Sequence, residues 1–194
     1  MRMEEFDYKH LIGKSTLFYG ETDTKKTYYT ARFIDYLIDF QRNDPEEISI
    51  LDFAPKLMLI NGLKIGGKLN DYSDKTLECR TIQLEGEIIP ARLKARNKKE
   101  LFENICHNYK ITSKALKKFS EKPTEFLLIN DVSIYLHLGD KAYLLNTIKK
   151  ANTFCGNSYY GSKIKIGVGA LLSKKEKKRV EFLIKNLDNS ILTH

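Results

Sequence analysis

Lys26 and Thr27 carry the chemistry that this sequence advertises most clearly. They close the run Thr16-Leu17-Phe18-Tyr19-Gly20-Glu21-Thr22-Asp23-Thr24-Lys25-Lys26-Thr27. An apolar stretch, a glycine-led turn and then Lys-Thr opening a helix bring several anion-binding devices to one place. Successive backbone N–H groups of such a turn form a concave anion site. The start of the following helix adds unsatisfied N–H groups and a partial positive charge. Lys26 supplies a point charge for β- and γ-phosphates, and the Thr27 hydroxyl suits Mg²⁺. The whole segment Gly20, Glu21, Thr22, Asp23, Thr24, Lys25, Lys26 and Thr27 is therefore the candidate nucleotide-binding loop.

Lys25 is the departure from G-x-x-x-x-G-K-[ST], because it stands where the second glycine belongs. Glycine there lets phosphate approach the backbone. With its side chain turned out, Lys25 preserves that approach and adds a cation; with its side chain turned in, the loop is remodelled. Asp23 falls where the loop calls for positive φ, which Asp tolerates better than most residues. The bland alternative is an ordinary strand-to-helix turn with solvated lysines.

A second constellation is Phe126-Leu127-Leu128-Ile129-Asn130-Asp131, an apolar strand ending in an acid. Such a carboxylate emerges at the C-terminal edge of a parallel sheet, where it holds Mg²⁺ directly or through water. Val132, not glutamate, follows it, so a water-activating acid is missing there. Asn130 is placed to position a water or to sense a γ-phosphate. Asp52, ending Ile48-Ser49-Ile50-Leu51-Asp52-Phe53, is a rival for the metal. Arg92, Lys94 and Arg96 are spaced two apart; on a strand they share a face, on a loop they clamp phosphate, and otherwise they are solvated. Arg92 is the candidate catalytic arginine within the chain. The stretch Cys155 to Gly161 reads as a loop whose Tyr159 and Tyr160 can stack a ring, with a core role for at least one of them the simpler reading.

These residues need a frame. Strands are expected at 16–20, 48–53, 125–130 and 163–170, and helices at 26–41, 97–108, 112–120, 140–153 and 174–187. Phe33, Ile34, Leu37, Ile38 and Phe40 fall largely along one face of the first helix. Ser173 and Glu176 have the spacing of a capping box at the start of the last. Residues 56–96 hold Asn61-Gly62, Gly66-Gly67 and Glu85-Gly86, with short β-like pieces near 77–84 and 87–90. Strands separated by helices imply a mostly parallel sheet covered on both faces. The expected organisation is one α/β domain over residues 1–194, with an insertion at about 56–96.

Composition sets the remaining bounds. Of 194 residues, 42% are hydrophobic, enough for a sizeable core, yet no apolar run approaches the roughly 20 residues that span a bilayer. The first residues lack the basic-then-apolar order of a signal peptide. Three scattered cysteines, Cys79, Cys106 and Cys155, suit reduced thiols in a cytoplasmic protein. The four histidines show no metal-ligand spacing. The net charge of +8 comes mostly from lysine and reads first as solvated surface, with nucleic acid as the alternative partner. Aromatic residues are not interleaved with the basic clusters as single-strand binders require.

Together, Gly20 to Thr27 and Leu127 to Asp131 resemble the P-loop NTPase superfamily. The resemblance implies a Rossmann-like αβα sandwich, ATP or GTP as ligand and Mg²⁺ as cofactor. It implies Lys26 on the β- and γ-phosphates, Thr27 on Mg²⁺ and Asp131 as the Walker B acid. Over Gly20-Glu21-Thr22-Asp23-Thr24 alone the loop also looks like that of dethiobiotin synthetases. The expected function is a slow or partner-activated Mg²⁺-dependent ATPase or GTPase, with a protein activator among its partners. Two alternatives stay open: a non-catalytic binding module for nucleotide or nucleic acid, and a small-molecule kinase or ATP-dependent synthetase.

Overall fold

The structure, a computed structural model, describes residues 6–60, 62–162 and 170–194. Its centre is a six-stranded sheet in which every pairing is parallel. The strands are β1 (Ser15–Gly20), β2 (Ile48–Asp52), β5 (Arg80–Thr81), β6 (Phe126–Asn130), β7 (Thr153–Tyr159) and β8 (Asn189–Thr193). Their order is β5-β2-β6-β7-β1-β8. A separate antiparallel pair joins β3 (Met58–Ile60) to β4 (Leu63–Ile65). This is the expected α/β architecture with a mostly parallel sheet.

Side-chain alternation along the strands builds the two covered faces. Leu17, Leu127, Ile129 and Phe154 enter one apolar cluster, while Phe18, Phe126, Leu128 and Cys155 enter the other. The second cluster is closed by α1 (Lys26–Asp35), through Ala31, Phe33 and Ile34. The first is closed by α3 (Lys98–Glu121), α4 (Val132–Leu136), α5 (Lys141–Ile148) and α6 (Ala170–Asn186). A short α2 (Ala91–Lys94) precedes α3. None of the described helices is long and apolar enough to cross a membrane.

Several local expectations are corrected. The first helix does not run regularly to 41: it loosens into a π-helical turn over Tyr36–Phe40, and Phe40 stands 76% exposed instead of joining the apolar face. Residues 97–120 form one helix, because Ile105, Ile111, Ala115, Leu116 and Phe119 keep a buried stripe running through the expected gap. Asn97 caps it by accepting from the Glu100 N–H at 2.9 Å. Residues 155–159 are not loop but most of β7, lying between β1 and β6. Gly156 makes room there for the Phe154 ring, since an added Cβ would lie 2.5 Å from its Cζ. The strand expected at 163–170 falls mostly on residues outside the described set. Among the described residues the last helix spans Ala170–Asn186, so Ser173 and Glu176 lie inside it rather than at the start expected for it. β8 was not expected. The β-like piece near 77–84 shrinks to Arg80–Thr81, and 87–90 forms no strand.

Candidate phosphate-binding site

The loop after β1 is pinned at both ends. Gly20 pairs with Thr193 of β8, and an added Cβ there would sit 2.6 Å from the Thr193 carbonyl oxygen. At the other end Lys25 is the N-cap of α1 with φ 61° and ψ 15°. This is the left-handed conformation for which glycine is ordinarily used. Lys25 holds that shape with a side chain that is exposed. Asp23 likewise has φ 58°.

Lys26 is the first residue of α1, and its ammonium folds back over the loop. It donates to the Glu21 carbonyl and lies 3.2 Å from Thr24 Oγ1. Burial pushes its pKa down to about 8, against the opposing pull of Asp131, Glu21 and Asp23. The Thr27 hydroxyl donates to Asn130 Oδ1 at 3.3 Å.

Asn130, fully buried at the end of β6, uses all of its amide. Nδ2 donates to Asp52 Oδ1 at 2.8 Å and to the Gly67 carbonyl at 2.9 Å. Its Oδ1 also accepts from Asn157 Nδ2 at 2.9 Å. Asn157, on β7, donates further to Thr30 Oγ1 at 3.0 Å and accepts from the Asp131 N–H at 3.0 Å. This satisfied, uncharged network ties α1 to β6 and β7. Sequence reasoning passed over Asn157 because its neighbours read as a loop; the signal available was a polar residue following the β-favouring Thr153-Phe154-Cys155.

The two strand-end acids differ. Asp52 accepts from the Leu69 N–H at 2.8 Å, the Ala54 N–H at 3.2 Å and Asn130, and pairs with Lys68 at 3.4 Å. Asp131 has φ 58° and accepts from Ser133 Oγ at 2.5 Å. Burial raises the pKa of both carboxyls. At Asp131 the opposing influences are Ser133, then the Lys26 and Arg92 charges, then a Tyr159 backbone hydrogen bond.

Arg92 lies on α2, a helix, so it does not share a strand face with Lys94 and Arg96. Those two are exposed, whereas the Arg92 side chain is 7% exposed. Its guanidinium pairs with Glu176 of α6 and lies 3.1 Å from His137 Nε2. Glu176 and His137 are equally buried and 2.9 Å apart. Burial, Arg92 and Arg179 together hold His137 well below the usual histidine pKa. His137 did not stand out in the sequence, and Glu176 stood out only as the acid of a capping box within a lysine run. Arg92 also stands over the Tyr159 ring at 5.4 Å. Tyr160 turns away to pack edge-on against Tyr19 and donates to Glu181 at 3.0 Å.

A cleft of about 450 Å³ gathers these groups. Thr22 to Tyr28, Asn130, Asp131, Asn157 and Tyr159 line it, and the 57–66 hairpin forms the far wall. Thr22 Oγ1 bonds that wall at the Lys64 carbonyl, at 2.6 Å. A larger cleft of about 680 Å³ adjoins it at Ala54 and is built from residues 50–94, but contains none of the loop. Among the described residues no three His, Cys, Asp or Glu side chains cluster to hold a metal on their own.

The chain matches no protein-family model and no curated protein. Among solved structures it is similar to the Pif1 helicase from Candida albicans, at 13% identity and a TM-score of 0.37. All of this chain aligns, to 40% of the length of that one. At that level the likeness bears on neither family nor activity.

Proposed function

We propose that this chain binds a nucleoside triphosphate, ATP or GTP, with Mg²⁺ at Gly20–Thr27, and hydrolyses it slowly unless a partner completes the site. The observation that carries this reading is the left-handed backbone at Lys25, which puts Lys26 and Thr27 at the helix start facing Asp131 across one cleft. The residues fit a magnesium-bound polyphosphate. Thr27 and Asp131 offer oxygen ligands, and a magnesium ion completes its shell with phosphate oxygens and water. Burial raises the Asp131 pKa, and a bound cation would favour its charged form. Asp52, engaged by four internal donors, supports Asn130 in this reading. When bound, Mg²⁺ neutralises charge developing on the transferred phosphoryl group.

Slow turnover follows from two features. No glutamate follows Asp131, and the Arg92 charge is already answered by Glu176. An arginine donated by an activating protein in such systems is worth about 10³–10⁵ in rate. A second reading, ATP-dependent transfer to a small acceptor, is favoured by the adjoining 680 Å³ cleft.

Calorimetry with ATP and GTP, with and without Mg²⁺, tests the proposal. Lys26→Ala is expected to weaken binding by about 10- to 100-fold, as loss of a charged hydrogen bond of about 1.5–3 kcal/mol requires. Equal affinity in wild type and variant overturns it. Tight binding without hydrolysis of either nucleotide selects the non-catalytic binding module.

A further inference from the structure

We infer that Thr193 of β8, which the phosphate chemistry never touches, positions the Lys26 ammonium through the Thr24 hydroxyl. The inference rests on the phosphate-site reading above. Thr193 is 7% exposed and lies opposite Gly20 in the β1–β8 register. Its Oγ1 is 2.7 Å from Thr24 Oγ1 and 3.3 Å from the Tyr19 carbonyl oxygen. Thr24 Oγ1 donates to the Glu21 carbonyl at 2.8 Å. The Lys26 ammonium sits on these same two acceptors, Glu21 O and Thr24 Oγ1.

The geometry fixes most of the proton directions. Thr24 has one hydrogen and gives it to Glu21. Its remaining lone pairs then accept from Lys26 and from Thr193, whose one hydrogen serves the 2.7 Å contact to Thr24 and not the 3.3 Å contact to the Tyr19 carbonyl. Without the Thr193 donor, Thr24 loses one of three partners and the turn loses its tie to the sheet. Without room at Gly20 the tie cannot form, because any side chain there strikes Thr193. The edge strand β8 is thus part of the phosphate site at one remove. Thr193 is a positioning residue: it sets where the lysine waits, not how it binds.

Valine at 193 keeps the shape and removes the hydroxyl, while serine keeps the hydroxyl. Thr193→Val is expected to weaken Mg²⁺·ATP binding by about five- to tenfold, the scale of one hydrogen bond, and Thr193→Ser to restore it. In nucleotide-free protein, hydrogen exchange of the Glu21–Lys26 amides is expected to quicken in Thr193→Val and not in Thr193→Ser. Leu192→Ala, on the same strand and half-exposed, is the control for a general loss of stability and should leave loop exchange alone. Thr24→Val should reproduce the defect, and the Thr24→Val, Thr193→Val pair should be no worse than either single change. Additive losses, or wild-type binding and loop exchange in Thr193→Val, overturn the inference. If Lys26→Ala binds ATP as wild type does, the nucleotide reading has failed instead, and the exchange data alone decide the role of Thr193.

Discussion

Asp52 and Asp131 end neighbouring strands of one sheet, and both carboxyls are pushed upward in pKa by burial. Their surroundings differ in kind. Asp52 is enclosed by donors from Ala54, Leu69, Asn130 and Lys68, which hold the turn after β2 against β6. Asp131 takes hydrogen bonds from the Ser133 hydroxyl and the Tyr159 backbone, and otherwise borders a cleft with Lys26 and Arg92 nearby. A carboxylate whose lone pairs are filled from within the fold organises the fold. One whose charge is balanced across open space is ready for a ligand. Position in the sequence made Asp52 a rival to Asp131 for the metal; their donors separate them.

The largest effect expected from breaking this contrast is at Asp131. Asp131→Asn should lower Mg²⁺-dependent hydrolysis by about 10²-fold or more, on the scale of losing a charge that meets the transition state. Affinity measured without metal should change far less. Thermal stability should hold or rise at neutral pH, and the sign follows from linkage. A carboxyl whose folded pKa is raised contributes stability below its unfolded pKa and loses it as pH rises through the folded value. Removing the charge removes that loss, so the wild-type and variant stability curves should converge toward acid. Unchanged hydrolysis in this variant would return the two acids to equal standing.

The next effect is the reverse one. Asp52→Asn should leave its amide N–H groups facing either the Leu69 N–H or the Ala54, Asn130 and Lys68 donors, destabilising the fold by about 3 kcal/mol. Denaturant unfolding measures this directly. A folded Asp52→Asn protein that has lost Mg²⁺-dependent activity would show that Asp52 serves the ion after all.

The smallest effect sharpens the same division at Lys25, which like Asp131 carries an unfavourable local term at the rim of the cleft. Left-handed backbone disfavours non-glycine residues by about 1–2 kcal/mol. Lys25→Gly should recover part of this, about 1 kcal/mol, as a rise in melting temperature of a few degrees. Nucleotide affinity should hold or improve. Weaker and less salt-dependent binding would instead make the Lys25 ammonium a phosphate ligand.

The sequence disclosed the covered sheet, the strand-turn-helix at Gly20–Thr27 and the acid at the end of β6, because each depends on local pattern. Period-two alternation and an apolar helical face are visible in any short window. The parts that escaped depend on distant partners. Asn157 and Gly156 look like loop residues until β1 and β6 flank them. Glu176 looks like a capping acid in a basic run until Arg92 and His137 meet it from two other helices. Nothing within residues 189–193 announces that Thr193 will touch Thr24. The short strand β5 and the hairpin at 58–65 were blurred by closely spaced glycines and by 3₁₀ turns, which carry no strong period.

The place of β1 in the sheet also sets a timetable. β1 lies between β7 and β8, and Thr16 meets Asn189 across a separation of 173 residues. A ribosome adding about 5–20 residues per second needs roughly 10–30 s to make that stretch. Until β7 is made, which takes most of that interval, Leu17 and Phe18 lie in a strand with neither neighbour yet synthesised, a species prone to wrong pairing and to capture by chaperones. The lysine and threonine that follow β1 are made long before the strand that lies against their loop. The Gly20–Thr27 loop therefore has no tether to the sheet edge until β8 docks, and a chain truncated before Thr193 would keep the motif and lose that tether.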